Sequence, residues 1–287
     1  MEKGNRRGRV KFRTVFIVFN IFLLIFLAVL CVTPVLLLTP DFASVFWRAN
    51  WFLILILAGI LIAFDTYFFI NRRLYALLEK EDWPALVHYL EEKVIHEGKY
   101  SSHLVRLLAN TYLVLSDSPS VMSLENKAAI ARPSLVNDNV LVFGTARILG
   151  RDISGAVRFF ETRLANSKSS LRPWIHWYYG FALLLDKQFE AAADRFILLA
   201  RESSNGVVTG LSAYFLQDNA IKTLVNRNAE FGEAAMEGAG RVRKAYPQMK
   251  DWIRETRKLS TEIHAAALTK YLEETGRWLY SNTEGKK

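Results

Sequence analysis

Three histidines stand close together in the chain, His88, His96 and His103, with Glu91, Glu92 and Glu97 among them. Imidazole and carboxylate are common ligands of zinc and other transition metals, so this cluster is the first place to look for a metal centre. Spacings of eight and seven residues bring the three rings to one face only along an uninterrupted helix, and HEGKYSS, residues 96–102, reads as a break. The histidines are therefore read as surface residues, and neither a metal nor a cofactor is expected. No phosphate-binding GxxxxGK[ST], dinucleotide-binding GxGxxG or zinc-binding HExxH occurs. Gly210-Leu-Ser-Ala-Tyr214 lacks the second glycine of a nucleophile elbow. A catalytic role is not expected.

Asp65 is different, because it interrupts an apolar run, WFLILILAGILIAFDTYFFI, residues 51–70. A second run, VFIVFNIFLLIFLAVLCVTPVLLL, covers 15–38 and contains Asn20. Each reaches the length of about 20 residues needed to cross a bilayer. The first is too long for the apolar part of a signal peptide and has no small-residue cleavage site after it. Bulky Leu30 before Cys31 also argues against a lipoprotein site. Residues 14–70 are read as a two-span transmembrane hairpin. A charge at the centre of a span costs about 3 kcal/mol, which makes Asp65 a candidate for function by default. Three readings stay open: a role within the membrane, a reach toward the interface and Arg72 or Arg73, and a pairing with Asn20.

Charge orients the hairpin. Residues 1–13 form a basic arm with Lys3, Arg6, Arg7, Arg9, Lys11 and Arg13 against Glu2, and Arg72 and Arg73 follow the second span. The connection between the spans carries only Asp41 and Arg48. By the positive-inside rule both termini are cytoplasmic, and the expected location is the cytoplasmic (inner) membrane. The arm holds much of the +9 net charge, and its expected partner is the anionic headgroup layer rather than nucleic acid. The single cysteine excludes an intrachain disulfide framework.

Beyond residue 70 strand-like alternation is almost absent, and apolar residues recur at helical spacing. Within this region a phrase repeats. ILGRDISGAVRFF, residues 148–160, returns about thirty-six residues later as LLDKQFEAAADRF, 184–196. Gly144, Ala156 and Phe160 align with Gly180, Ala192 and Phe196, while the polar residues drift. Weaker units place Leu74 and Ala109 where the glycine stands. The second has Val121 and Glu125 in place of the alanine and the large aromatic residue, and Phe231 and Ala234 mark a degenerate fifth.

This pattern resembles the tetratricopeptide repeat family, with its unit of about 34 residues and its Gly, then Ala-x3-Phe signature. The resemblance covers roughly residues 71–240. It implies an all-α fold: two transmembrane helices, then a tetratricopeptide-like α-solenoid of about four to five helical hairpins over 71–245. A long C-terminal capping helix and tail would follow over 246–287. Neighbouring hairpins in such a stack share one packing solution, which is why the phrase recurs. The resemblance further implies a concave groove lined by Arg106, Asn110, Leu141, Thr145, Ile148, Leu149, Trp174, Trp177, Phe181, Leu184 and Leu185. Arg106 and Asn110 look like half of a carboxylate clamp, but Val142 stands where a further asparagine is needed. The groove residues form an apolar, aromatic wall suited to a partner's helical or apolar peptide segment, or to the chain's own C-terminal helix. The expected function is a membrane-anchored scaffold that recruits or organises protein partners. The alternatives are a periplasm-facing component of an envelope assembly, and an accessory subunit of a membrane transporter or enzyme using Asp65. A homo-oligomer is left open.

Overall fold

The computed structural model describes residues 12–37, 40–165, 170–217, 228–259 and 268–281. The described residues are all-helical, without a strand, and fall into two compact units, Met1–Tyr89 and Leu90–Lys287. The basic arm through Lys11, and Ile263 and Ala266 of the expected capping helix, lie outside the described residues.

The first unit contains α1 (Phe12–Leu37), α2 (Pro40–Asn50) and α3 (Phe52–Lys80). Two polar side chains of α1 are satisfied within their own helix. Asn20 Nδ2 donates to the Phe16 carbonyl at 3.1 Å, and Thr33 Oγ1 to that of Val29 at 2.6 Å. An aromatic seam holds α1 antiparallel to α3: Phe16 stacks on Phe68 with ring centres 3.8 Å apart, and Phe19 meets Phe64 at 4.3 Å. The segment between the apolar runs, expected as a short connection, is itself a helix, α2, packed on α1. The helix of the second apolar run continues past Ile70 without a break to Lys80, as the lack of Gly, Pro or Ser in residues 71–78 allows. Of the two expected spans, one helix, α3, is long and apolar enough to cross a membrane. The apolar stretch described in α1, Phe16–Leu30, is shorter than a span needs.

The second unit is a succession of packed helix pairs. It holds α5 (Ser102–Val114), α6 (Ser118–Ala131), a short α7 (Ser134–Asp138), α8 (Val140–Leu149), α9 (Ile153–Glu161), α10 (Arg172–Leu185), α11 (Phe189–Glu202) and α12 (Gly206–Gln217). Beyond them come α13 (Asn228–Ala245), α14 (Met249–Leu259) and α15 (Thr269–Tyr280). The intervening α4 (Trp83–Glu91) runs into a π-helical turn, Glu92–His96. From α8 to α13 each helix packs on the next, and α5, α8, α10 and α12 also touch in succession.

One turn recurs. The four non-glycine residues with positive φ among the described residues are Glu81, Ser116, Arg151 and Lys187, at intervals of 35, 35 and 36 residues. At each, the N–H bonds back three residues, and the following N–H bonds back five, to Leu77, Tyr112, Arg147 and Leu183. This is the Schellman closure of a helix C-terminus. In three of the four, the next residue is an aspartate that caps the following helix, with Asp82, Asp117 and Asp152 accepting from Ala85, Ser120 and Gly155. Chain reversal is therefore built the same way each time, without the glycine that usually supplies it.

Inside the pairs, small residues admit large ones. Phe160 is fully buried with its ring against Gly144, and Phe196 is buried with its ring beside Gly180. Ala156 and Ala192 are also fully buried. Later helices are tied by one arginine, because Arg241 on α13 donates to the carbonyls of Ala200, Arg201 and Ser203 at the C-terminal end of α11. At the far end Trp252 of α14 is buried, and its Nε1 donates to the Leu272 carbonyl of α15 at 3.1 Å.

Candidate docking surface

The aromatic wall expected on α10 exists, but it faces inward. Trp177 has no exposed surface and is enclosed by Phe181 stacked at 5.3 Å, Phe215 edge-on at 5.6 Å, Phe196, Tyr178 and Trp174. The enclosure is tight enough to leave its indole N–H without an acceptor. Trp174, Leu141 and Thr145 are buried as well. These four residues, expected to line an open groove, are core. Neighbouring helices in the stack cover them, and the C-terminal α15 packs on the adjoining Phe181 and Phe215. Tyr271 of α15 lies 6.3 Å from Phe181 and 5.1 Å from Phe215, ring centre to ring centre. Tyr214 binds Glu274 at 3.1 Å. The C-terminal segment thus occupies the Phe181 end of the wall.

Arg106 is also committed within the fold. Its guanidinium donates to the Asp138 carbonyl and to Asn139 Oδ1, both at 3.1 Å, closing the end of α7. With that fork engaged and Val142 buried, Arg106 and Asn110 do not form a carboxylate clamp.

What stays accessible follows the repeat. Val114, Leu149 and Leu185 end α5, α8 and α10, each five residues after Ala109, Gly144 and Gly180, and they are 44%, 51% and 41% exposed. Ile148 and Leu184, one residue earlier, are half-buried. The three helices touch in succession, and each contributes one exposed apolar side chain at the same repeat position. Val114 is the member the sequence reading missed, although the same offset from Ala109 locates it.

Where the repeat pattern lacks its large aromatic residue, a charge cluster stands instead. Glu125 on α6 is buried and accepts from Arg147 of α8 at 2.5 Å, with Arg163 at 3.8 Å. Both guanidinium groups lie over the Phe159 ring, at 4.3 and 3.7 Å from its centre. Burial lowers the Arg163 pKa against the attraction of Glu125. Two cations share one anion, so the cluster ties successive helix pairs together.

In the first unit, Asp65 and Asn20 are not hydrogen-bonded. The Asn20 amide is engaged with its own helix, and Asp65 Oδ1 is buried without a partner. Among the described residues no group of three or more His, Cys, Asp or Glu side chains is placed to hold a metal ion.

Comparison with known proteins adds kinship. A family described as Uncharacterised Treponema protein matches residues 120–281. An uncharacterized protein of Treponema pallidum (strain Nichols) is 29% identical over 287 residues, covering 96% of this chain and 90% of that protein. No solved structure matches.

Proposed function

The chain belongs to the family described as Uncharacterised Treponema protein, and we propose that it is a membrane-anchored helical-repeat scaffold that recruits protein partners. The anchor is α3, with α1 as a second crossing beside it. Support for α1 comes from its 26 helical residues and from the absence of any charged residue between Arg13 and Leu37. The charges of the arm and of Arg72 and Arg73 favour a cytoplasmic-membrane location with both termini inside.

The repeat domain, residues 71–245, is a tetratricopeptide-like solenoid, and residues 246–287 close it. Three features support this reading: the turn recurring every 35 or 36 residues, the Gly144–Phe160 and Gly180–Phe196 pairs, and packing that runs from neighbour to neighbour. Its role is binding rather than catalysis. The observation that carries this is the exposure of Val114, Leu149 and Leu185. Three apolar side chains in one repeat register offer a surface for the apolar side of a partner peptide or helix.

Site-specific photocrosslinking tests it. A photoreactive amino acid at position 149 or 185 is expected to give discrete protein adducts in cells, and one at exposed Arg158 is not. Leu149→Lys combined with Leu185→Lys is expected to abolish adducts formed from position 114 at unchanged protein level. Equal labelling from all positions would sink the reading. Trp177→Ala is the wrong probe, because removing a fully buried tryptophan costs about 3–5 kcal/mol of stability. Protease accessibility of residues 90–287 in intact and inverted vesicles decides the orientation.

A further inference from the structure

We draw no further inference here: the strongest candidate, the apolar groove of about 550 Å³ between α14 and α15 floored by Met249, Trp252, Ile253 and Leu272, carries nothing, because nothing in the structure shows what covers it.

Discussion

Phe160 lies so close to Gly144 that a Cβ at position 144 would stand 2.0 Å from its Cζ and 2.5 Å from its Cε1. At Gly180, the equivalent position of the next pair, a Cβ would meet Arg195 Cβ at 3.2 Å and Phe196 Cε1 at 3.3 Å. The same sequence mark therefore carries different constraints. Gly144→Ala is expected to destabilise by about 1–3 kcal/mol, as overpacking of a core does. Gly180→Ala gains helix propensity against a milder contact, and its net effect is expected within about 1 kcal/mol of zero. Thermal unfolding of the full-length variants, followed by circular dichroism at 222 nm in detergent, checks the difference. Equal losses would contradict the packing described.

The left-handed turn residues offer a test in the opposite direction. Arg151 and Lys187 adopt φ of 63° and 62°, where an L side chain is strained by about 1–2 kcal/mol. Glycine relieves that strain but loses more backbone entropy on folding. Arg151→Gly and Lys187→Gly are each expected to stabilise by about 0.5–1 kcal/mol. Arg151→Val should destabilise, because β-branched residues tolerate this region worst. The check is a shift of the denaturation midpoint at unchanged slope.

Glu125 neutralises two arginines whose side chains are mostly out of water, with 18% of Arg147 and 23% of Arg163 exposed. Glu125→Ala strands both cations and is expected to cost about 2–4 kcal/mol. Glu125→Leu together with Arg147→Leu should recover part of that loss, since an apolar replacement removes the desolvation penalty as well as the pairing. A double-mutant cycle measures it. Additive losses would show that the pair is not coupled.

His176 links stability to mild acid. Burial first, then the charges of Arg195 and Arg172, holds its imidazole below the usual histidine range. The unfolded chain protonates this histidine near pH 6.5, and the folded chain resists doing so. Its contribution is therefore present above about pH 6.5 and is lost as pH falls through the lower folded value. The melting temperature is expected to fall between about pH 7.5 and 5.5, and His176→Gln should flatten that decline. An identical slope in the variant would assign the pH dependence elsewhere.

The helical class of the fold was legible in the sequence because apolar spacing dictates it, and so was the recurrence of Gly144, Ala156 and Phe160 as Gly180, Ala192 and Phe196; that each phenylalanine packs on the glycine of its own helix pair came from the structure. A missing side chain opposite a large one is a local complementarity, repeated because each helix pair meets a similar neighbour. The recurring turn came from the structure. Asp82, Asp117 and Asp152 are of a residue type that caps helices, but Glu81, Ser116, Arg151 and Lys187 carry no mark of a left-handed backbone.

The orientation of the α10 wall was decided only in three dimensions. Helical periodicity says that Trp177, Phe181 and Leu184 share a side of α10. It does not say what covers that side. The answer comes from Phe215 and, some ninety residues along the chain, from Tyr271, and no local pattern encodes so distant a contact. For the same reason, the Trp177 side chain became core while Leu185, eight residues later, remained exposed. Spacing within a helix fixes which residues share a side. Only the packing of the whole chain fixes which of them meet water.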